Sequence, residues 1–314
     1  MHPFDPAAVA PDADFPSRPV RIVTPFSAGS GPEGAARLVG AALQRLWSQA
    51  VTVENLPGGN GFLAIDAFKR GAADGHDLLQ LDNAHLLAYP HLFKKLPYDQ
   101  ERDFEQIAPL FKSVFFFVVG ADSPYATLGD LIADARANPG RLKYGSWSVG
   151  NPAHLGSALL ESLAGCEMQH VLVCKEMSQL YGAVAAGELA FALGTAANVS
   201  ALHRAGRLRL LAIAAPQRAA AFPDVPTAAE SGGPADLEVT GWTTLVAPKG
   251  LPPARLDRLR RDVERALADP AVEAGYAALG YDPFPQTQQQ FAQFLQAESS
   301  RFAELIRRAK TSLD

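Results

Sequence analysis

Two short loops carry the residues best suited to chemistry. The first, Pro25-Phe-Ser-Ala-Gly-Ser-Gly-Pro-Glu33, follows the β-branched run Val20–Thr24. It precedes apolar residues at helical spacing: Ala35, Leu38, Val39, Ala42, Leu43, Leu46 and Trp47. A strand, a run of small residues and a helix start place free backbone N–H groups at the positive end of a helix dipole, which favours an anion. Gly29 and Gly31 would let a ligand approach the backbone closely, and Pro32 fits the first helical turn, where its missing N–H costs nothing. Glu33 reads either as a first-turn carboxylate favoured by the dipole or as a ligand contact.

The second loop is Gly145-Ser-Trp-Ser-Val-Gly-Asn-Pro152. It offers the hydroxyls of Ser146 and Ser148, the amide of Asn151, backbone donors, and Trp147 as a stacking face. The same residues also read as a turn closed by a helix cap, with Asn151 ahead of Pro152 at the first helical position. Both readings can hold together. Pro57-Gly-Gly-Asn-Gly61 and Asp82-Asn-Ala-His85 follow other strand candidates. His85, His154 and Lys175 are possible charge partners for a ligand, with His154 fitting better as a helix-start residue.

Several chemistries find little support. Neither loop is GxGxxG or GxxxxGK[ST], so no dinucleotide or nucleotide cofactor is expected. Ser146-x-Ser148-x-Gly150 falls one residue short of the GxSxG nucleophile elbow. A Ser148 hydrolase would also need a later His, and neither His170 nor His203 lies in a glycine-flanked late loop. Cys174 has no identifiable base, and the seven His residues lack metal-ligand spacing, so no metal is expected. The two cysteines, Cys166 and Cys174, read as small buried hydrophobes. A net charge of −5 with no basic run argues against nucleic acid. The longest apolar run, Val114–Val119, is far short of the roughly 20 residues that cross a bilayer, which reads as a soluble chain.

The elements that must position these loops alternate along the chain, the pattern of α/β units on a parallel or mixed sheet. Further strands are expected at 51–54, 77–81, 114–119, 142–146, 169–173, 189–193, 208–214 and 243–247. Helices are expected at 63–70, 128–138, 154–164, 179–186, 254–268 and 288–309, the last docking an apolar stripe on the sheet. With 314 residues, the chain is long enough for about two domains. Residues 1–14 are rich in Pro, Ala and Asp and read as a flexible leader without the basic and apolar regions of a signal peptide. The turn-rich Gly120–Pro124 marks a crossing, with a return near Val239–Val246. The expected division is a discontinuous domain of 15–119 and 243–314 around an inserted domain of 120–242.

Longer strings point to a family. Phe15-Pro-Ser-Arg-Pro-Val-Arg-Ile-Val-Thr-Pro-Phe26 resembles the opening of mature Bug (TctC-type) receptors, the solute-binding components of tripartite tricarboxylate transporters. The likeness runs through Val53–Gly61, Ala73–Leu79, Phe93–Asp99, Asn138–Ser146 with His154-Leu155, Phe222–Gly232, Gly241-Trp242, Ala247–Gly250 and Ala278–Gly280. It covers Phe15 to Lys310. The resemblance implies an α/β, two-domain Venus-flytrap fold of the type II periplasmic-binding-protein kind, with a ligand cleft between domains. It implies a receptor rather than an enzyme, a small carboxylate ligand, membrane transporter subunits as partners, a monomer, and a periplasmic location. Without a signal peptide, a leaderless intracellular or sensory binder stays open.

By position, the resemblance nominates Ser27, Ala28 and Gly29 in the first loop and Ser146, Gly150 and Asn151 in the second. Asn83 and His85 on one segment, and Gly194, Thr195 and Ala196 on another, would line the cleft. Departures from the family pattern fall on the same places. Gly-Gly-x-x-Asp is replaced by Gly29-Ser-Gly-Pro-Glu33, His-Val-Pro-Tyr-Lys-Gly by His170-Val-Leu-Val-Cys-Lys175, and Phe-Asp-Asn by Leu193-Gly-Thr195. Glycines of the second loop give way to Trp147 and Ser148. These changes predict a ligand other than the common aliphatic dicarboxylates, bulkier or partly aromatic, with Trp147 available to stack on it.

Overall fold

The computed structural model describes residues 15–173 and 177–309. The expected leader, Cys174 and Lys175 lie outside the described residues. The first unit of structure begins with β1 (Val20–Thr24), buried along most of its length. α1 (Gly31–Trp47) follows, with Ser30 in extended conformation before it, Pro32 in its first turn, and left-handed Ser48 ending it. The apolar spacing read from the sequence buries Ala35, Val39, Leu43 and Trp47 on one face.

β2 (Val51–Asn55), α2 (Phe62–Lys69) and β3 (Asp77–Asp82) continue the alternation. β1 pairs in parallel with both: Ile22 lies opposite Val53 on one side and Leu78 on the other. A π-helical turn over Ala84–Ala88 then runs into α3 (Tyr89–Leu92), and α4 (Gln100–Asp103) leads to β4 (Phe104–Val114).

The rest of the chain contains β5 (Phe116–Gly120), α5 (Leu128–Ala137), β6 (Lys143–Ser146), α6 (Pro152–Ala164), β7 (Gln169–Leu172) and α7 (Met177–Ala185). It proceeds through β8 (Phe191–Gly194), α8 (Ala196–Arg204), β9 (Leu208–Ile213), β10 (Thr240–Pro248), α9 (Pro253–Leu267), α10 (Pro270–Leu279), β11 (Asp282–Pro283) and α11 (Gln288–Ala309). One sheet is ordered β11–β4–β10–β3–β1–β2 and the other β7–β6–β8–β5–β9.

The chain separates into two compact units. Among the described residues, unit 1 takes in 15–80, 98–108 and 244–273, and unit 2 takes in 81–97, 109–173, 177–243 and 274–309. Strand periodicity explains how unit 2 is built. Along β5 successive side chains face opposite ways, so Phe117 and Val119 enter one core while Phe116 and Val118 enter another. The first core takes Leu128, Leu131 and Ile132 of α5 and Leu159 and Leu160 of α6. The second takes Leu180, Tyr181 and Val184 of α7 and Val199 of α8. A sheet covered on both faces needs strands that are apolar throughout, and β5 is buried at every position.

Local signals set the boundaries. α5 opens with a capping box: Thr127 Oγ1 accepts the Asp130 N–H at 3.1 Å, and Asp130 Oδ2 accepts the Thr127 N–H at 2.8 Å. Thr127→Ala is expected to cost about 1 kcal/mol, read as a lower midpoint in urea unfolding with an unchanged slope. The apolar stripe of α11 is buried as expected at Phe291, Phe302 and Ile306. It meets Trp242 of β10 edge-on and packs against α6 and the 84–92 segment, so much of its cover is helical. Cys166 is half-buried rather than enclosed, because it lies just past the left-handed Gly165 that ends α6.

Candidate functional site

In unit 1 the first loop leaves β1 at Thr24, whose hydroxyl donates to Gln80 Oε1 at 2.8 Å. Gln80 Nε2 donates in turn to Pro32 O at 2.9 Å, fastening the start of α1 to β3. Asn55 Nδ2 donates to Phe26 O at 2.9 Å and holds the loop from the β2 side. Ser27, Ala28 and Gly29 are exposed on this frame, and Gly29 adopts φ +79°. Glu33 is buried, 3% exposed. Its Oε2 accepts the Gly29 N–H at 3.1 Å, and its Oε1 is paired with Arg37, which also donates to Asn55 Oδ1 at 3.1 Å. Of the backbone donors nominated in this loop, that of Gly29 is therefore engaged by the chain's own carboxylate.

In unit 2 the parallel strands β6 and β8 lie side by side, with Gly145 opposite Ala192. Their carboxyl ends bring the second loop and the Gly194–Ala196 segment to the same end of the sheet, where open α/β sheets bind ligands. Ser146 is fully buried. Its hydroxyl donates to Ser148 O at 3.0 Å and lies 2.7 Å from His170 Nε2 on β7. With the hydroxyl hydrogen directed to Ser148 O, His170 Nε2–H is the donor to Ser146 Oγ. The ring of His154 packs 4.2 Å from that of His170.

Gly150, at φ +83°, donates its N–H to His154 Nδ1 at 3.0 Å. Asn151 caps α6 as expected: its Oδ1 accepts the His154 N–H at 2.8 Å. That contact fixes the orientation of the amide, and Nδ2, on a side chain 2% exposed, has no partner among the described residues. Burial and then the His170 charge push His154 down to about 4, and burial alone lowers His170. Both imidazoles are neutral at pH 7.

Trp147 is half-buried and lies nearly parallel to Phe115, with ring centroids 6.3 Å apart and planes at 17°. The segment after β3 packs on this loop. Tyr89 makes a side-chain hydrogen bond with Ser148, and a Cβ at Gly150 would strike Leu92. Burial raises the Tyr89 phenol well above its ordinary value, with the Asp82 charge adding to the effect. Asn83 and His85 are buried in the same segment. Asn83 Nδ2 donates to Thr240 O at 3.0 Å, and His85 Nδ1 lies 2.5 Å from Asp82 Oδ1. On β8, Gly194 meets Tyr181 and Val199 so closely that a Cβ would lie 2.8 Å from Tyr181 Oη, which suits a glycine there. Thr195 precedes α8 without a side-chain cap, and Ala196 begins it.

Ser146, Trp147, Gly150 and Asn151 share one loop of unit 2, which Tyr89 and Leu92 of the segment after β3 touch, while Asn83 and His85 bond Thr240 and Asp82 in that same unit. Gly194, Thr195 and Ala196 stand at the end of the neighbouring strand, and Ser27, Ala28 and Gly29 belong to unit 1. Sequence reasoning missed Tyr89 and the bond between His170 and Ser146, for which no spacing signal exists. His170 bonds Ser146 and His154 accepts the Gly150 N–H, so neither of these two imidazoles is on Ser148.

Comparison with known proteins gives this geometry its context. The family model described as "Tripartite tricarboxylate transporter family receptor" matches residues 35–310. A relative described as "UPF0065 protein in tcbD-tcbE intergenic region", from Pseudomonas sp. (strain P51), is 30% identical over 292 residues, 93% of this chain and 86% of that protein. Among solved structures, R. palustris Rpa4515 with adipate superposes with a TM-score of 0.87 at 25% identity, covering 95% of this chain and 99% of that one. MatC (Rpa3494) from Rhodopseudomonas palustris with bound malate gives 0.81 at 28% identity, covering 93% and 100%. The fold is that of two-domain periplasmic binding proteins.

Proposed function

Because the chain belongs to the tripartite tricarboxylate transporter receptor family, we propose that it is a periplasmic receptor that captures a small carboxylate and delivers it to membrane transporter subunits. The observation that carries this reading is the second loop. A buried Asn151 Nδ2 without a partner among the described residues stands at the start of the 13-residue α6, where the helix dipole favours negative charge. The adipate and malate held by the two R. palustris proteins are carboxylates, which supports the same ligand class.

Capture proceeds by hinge closure of the inserted domain, residues 120–242, toward the remainder, and the working unit is a monomer. The nominated ligand-contacting residues are Ser146, Trp147, Gly150 and Asn151, with Ser27, Ala28 and Gly29 from the first loop. The Ser146 hydroxyl and the N–H groups of Gly150 and Gly29 would reach a ligand only by exchanging the partners they now hold. Asn83, His85, Gly194, Thr195 and Ala196 complete the lining. No turnover and no cofactor are needed for this role.

The test is a thermal-shift screen of the protein against mono-, di- and tricarboxylates and aromatic acids. Binding to the native state alone raises stability by about 2.7 kcal/mol at a hundredfold excess over Kd. An acid that raises the midpoint, is recovered unaltered, and loses its effect in Ser146→Ala supports the receptor. Consumption of an ester or amide that stops in Ser148→Ala would replace it with a hydrolase.

A further inference from the structure

We infer that His170 is a positioning residue for the second loop: it acts through Ser146, and the ligand's carboxylate meets the donors that this pairing leaves open. This deepens the receptor reading above and rests on it. Every residue in the argument belongs to unit 2.

Strand register brings the pair together. β6 and β7 run in parallel, with His170 opposite Tyr144 and Leu172 opposite Ser146. Side chains two residues apart on a strand share a face, so Tyr144, Ser146 and His170 lie on the same one. His170 reaches diagonally to the next position and meets Ser146 Oγ at 2.7 Å. Two rings pack against the imidazole, Tyr144 with centroids 5.2 Å apart and His154 at 4.2 Å.

Ser146 ends β6, and its hydroxyl turns back to donate to Ser148 O at 3.0 Å. A hydroxyl has one hydrogen, so with that hydrogen on Ser148 O its oxygen can only accept, and His170 Nε2–H is the donor it meets. Ser146 is fully buried, so loss of that donor leaves its oxygen short of a bond and frees the hydroxyl to turn. The consequence passes along the backbone. The C=O of Ser148 and the N–H of Val149 belong to one planar trans unit. A carbonyl drawn inward to Ser146 therefore turns the Val149 N–H the opposite way, away from the buried hydroxyl. Further on, the Gly150 N–H is fixed on His154 Nδ1, and Asn151 Oδ1 on the His154 N–H. Left open on this loop are the N–H groups of Ser148 and Val149 and Nδ2 of Asn151, none with an acceptor among the described residues. Successive backbone N–H groups held in a turn make a concavity that suits an anion.

The experiment separates a donor from a packed ring. His170→Gln places an amide N–H about where Nε2 stands, while His170→Phe keeps a ring against Tyr144 and His154 and has no donor. Adipate, malate and benzoate are each titrated calorimetrically into the full chain and into both variants. The expected result is binding about tenfold weaker in His170→Phe, as for loss of one hydrogen bond, and within about threefold of wild type in His170→Gln. In a Ser146→Ala background the same two substitutions change affinity by less than about twofold, since the group they act on is gone. A packing role reverses the order, with Phe tolerated and Gln not. That order, or a His170→Phe loss that persists in Ser146→Ala, overturns the inference and leaves the receptor standing. If His170→Phe does not fold, His170→Asn, whose amide stops short at the Nδ1 position, takes its place with the same expected loss. Imidazole nitrogen chemical shifts of the unliganded wild type give a second readout, with the proton of neutral His170 expected on Nε2. A proton on Nδ1 instead overturns the inference whichever acid binds. No heat from any of the three acids in wild type removes the receptor reading and the inference together.

Discussion

Aspartate at position 151 is expected to lower affinity for the carboxylate ligand by at least about a hundredfold, with a separate loss of stability because a buried donor becomes a buried charge. Asn and Asp are equally good N-caps, and Oδ1, which accepts the His154 N–H, is retained. The dipole of α6 slightly favours the charged cap. What changes is the other end of the side chain, where a buried N–H donor becomes a carboxylate oxygen. Losing a hydrogen bond to a charged group costs about 1.5–3 kcal/mol, and facing the ligand with a like charge adds to that. Their sum exceeds the ~2.7 kcal/mol that corresponds to a hundredfold in Kd. Calorimetric titration gives the affinity, and urea unfolding of the same sample gives the stability. Undiminished binding in a folded Asn151→Asp would place the carboxylate elsewhere.

The second large effect is on stability in acid. His154 titrates near 6.5 when unfolded and near 4 when folded, because burial and the His170 charge disfavour its cation. Between these values the unfolded chain binds more protons than the native one, so stability falls as pH falls. The loss begins as pH drops through about 6.5 and levels off below about 4. It amounts to about 3 kcal/mol at full extent, from some 2.5 pH units at about 1.4 kcal/mol each. His170, also lowered, loses stability in the same direction. Protonation would also turn Nδ1 of His154 from acceptor to donor opposite the Gly150 N–H. Urea unfolding at pH 7, 5.5 and 4 should show His154→Gln losing about 3 kcal/mol less than wild type across the range. Parallel pH profiles would mean that His154 stays charged or solvated in the fold.

Much of the fold was legible because its strands are short apolar runs bounded by turn residues. β1, β6, β7 and β9 lie within a residue of where periodicity and β-branching place them. α11, with its Phe-rich stripe, matches at both ends. β4 was illegible for a physical reason. Phe104–Val114 carries Glu, Gln and Lys and an internal Pro109, a composition that argues against a strand. α8 is too polar, and the 84–92 segment too short and interrupted by Pro90, to show a helical period.

At the site, the sequence located both loops and the Asn151 cap, since a cap is a local matter of one residue and its neighbours. It did not show that the glycine N–H groups turn inward to Glu33 and His154. That outcome depends on the course of the chain through two left-handed glycines. The contacts of Ser146 with His170 and of Ser148 with Tyr89 join residues 24 and 59 positions apart, a separation that only the packed fold closes.

Trp147 also makes the second loop optically addressable. The chain has three tryptophans, and the other two, Trp47 and Trp242, are only 8% and 2% exposed. A water-soluble quencher will therefore reach the indole beside Ser146 first, and the accessible fraction of the emission reports on that loop without any added label.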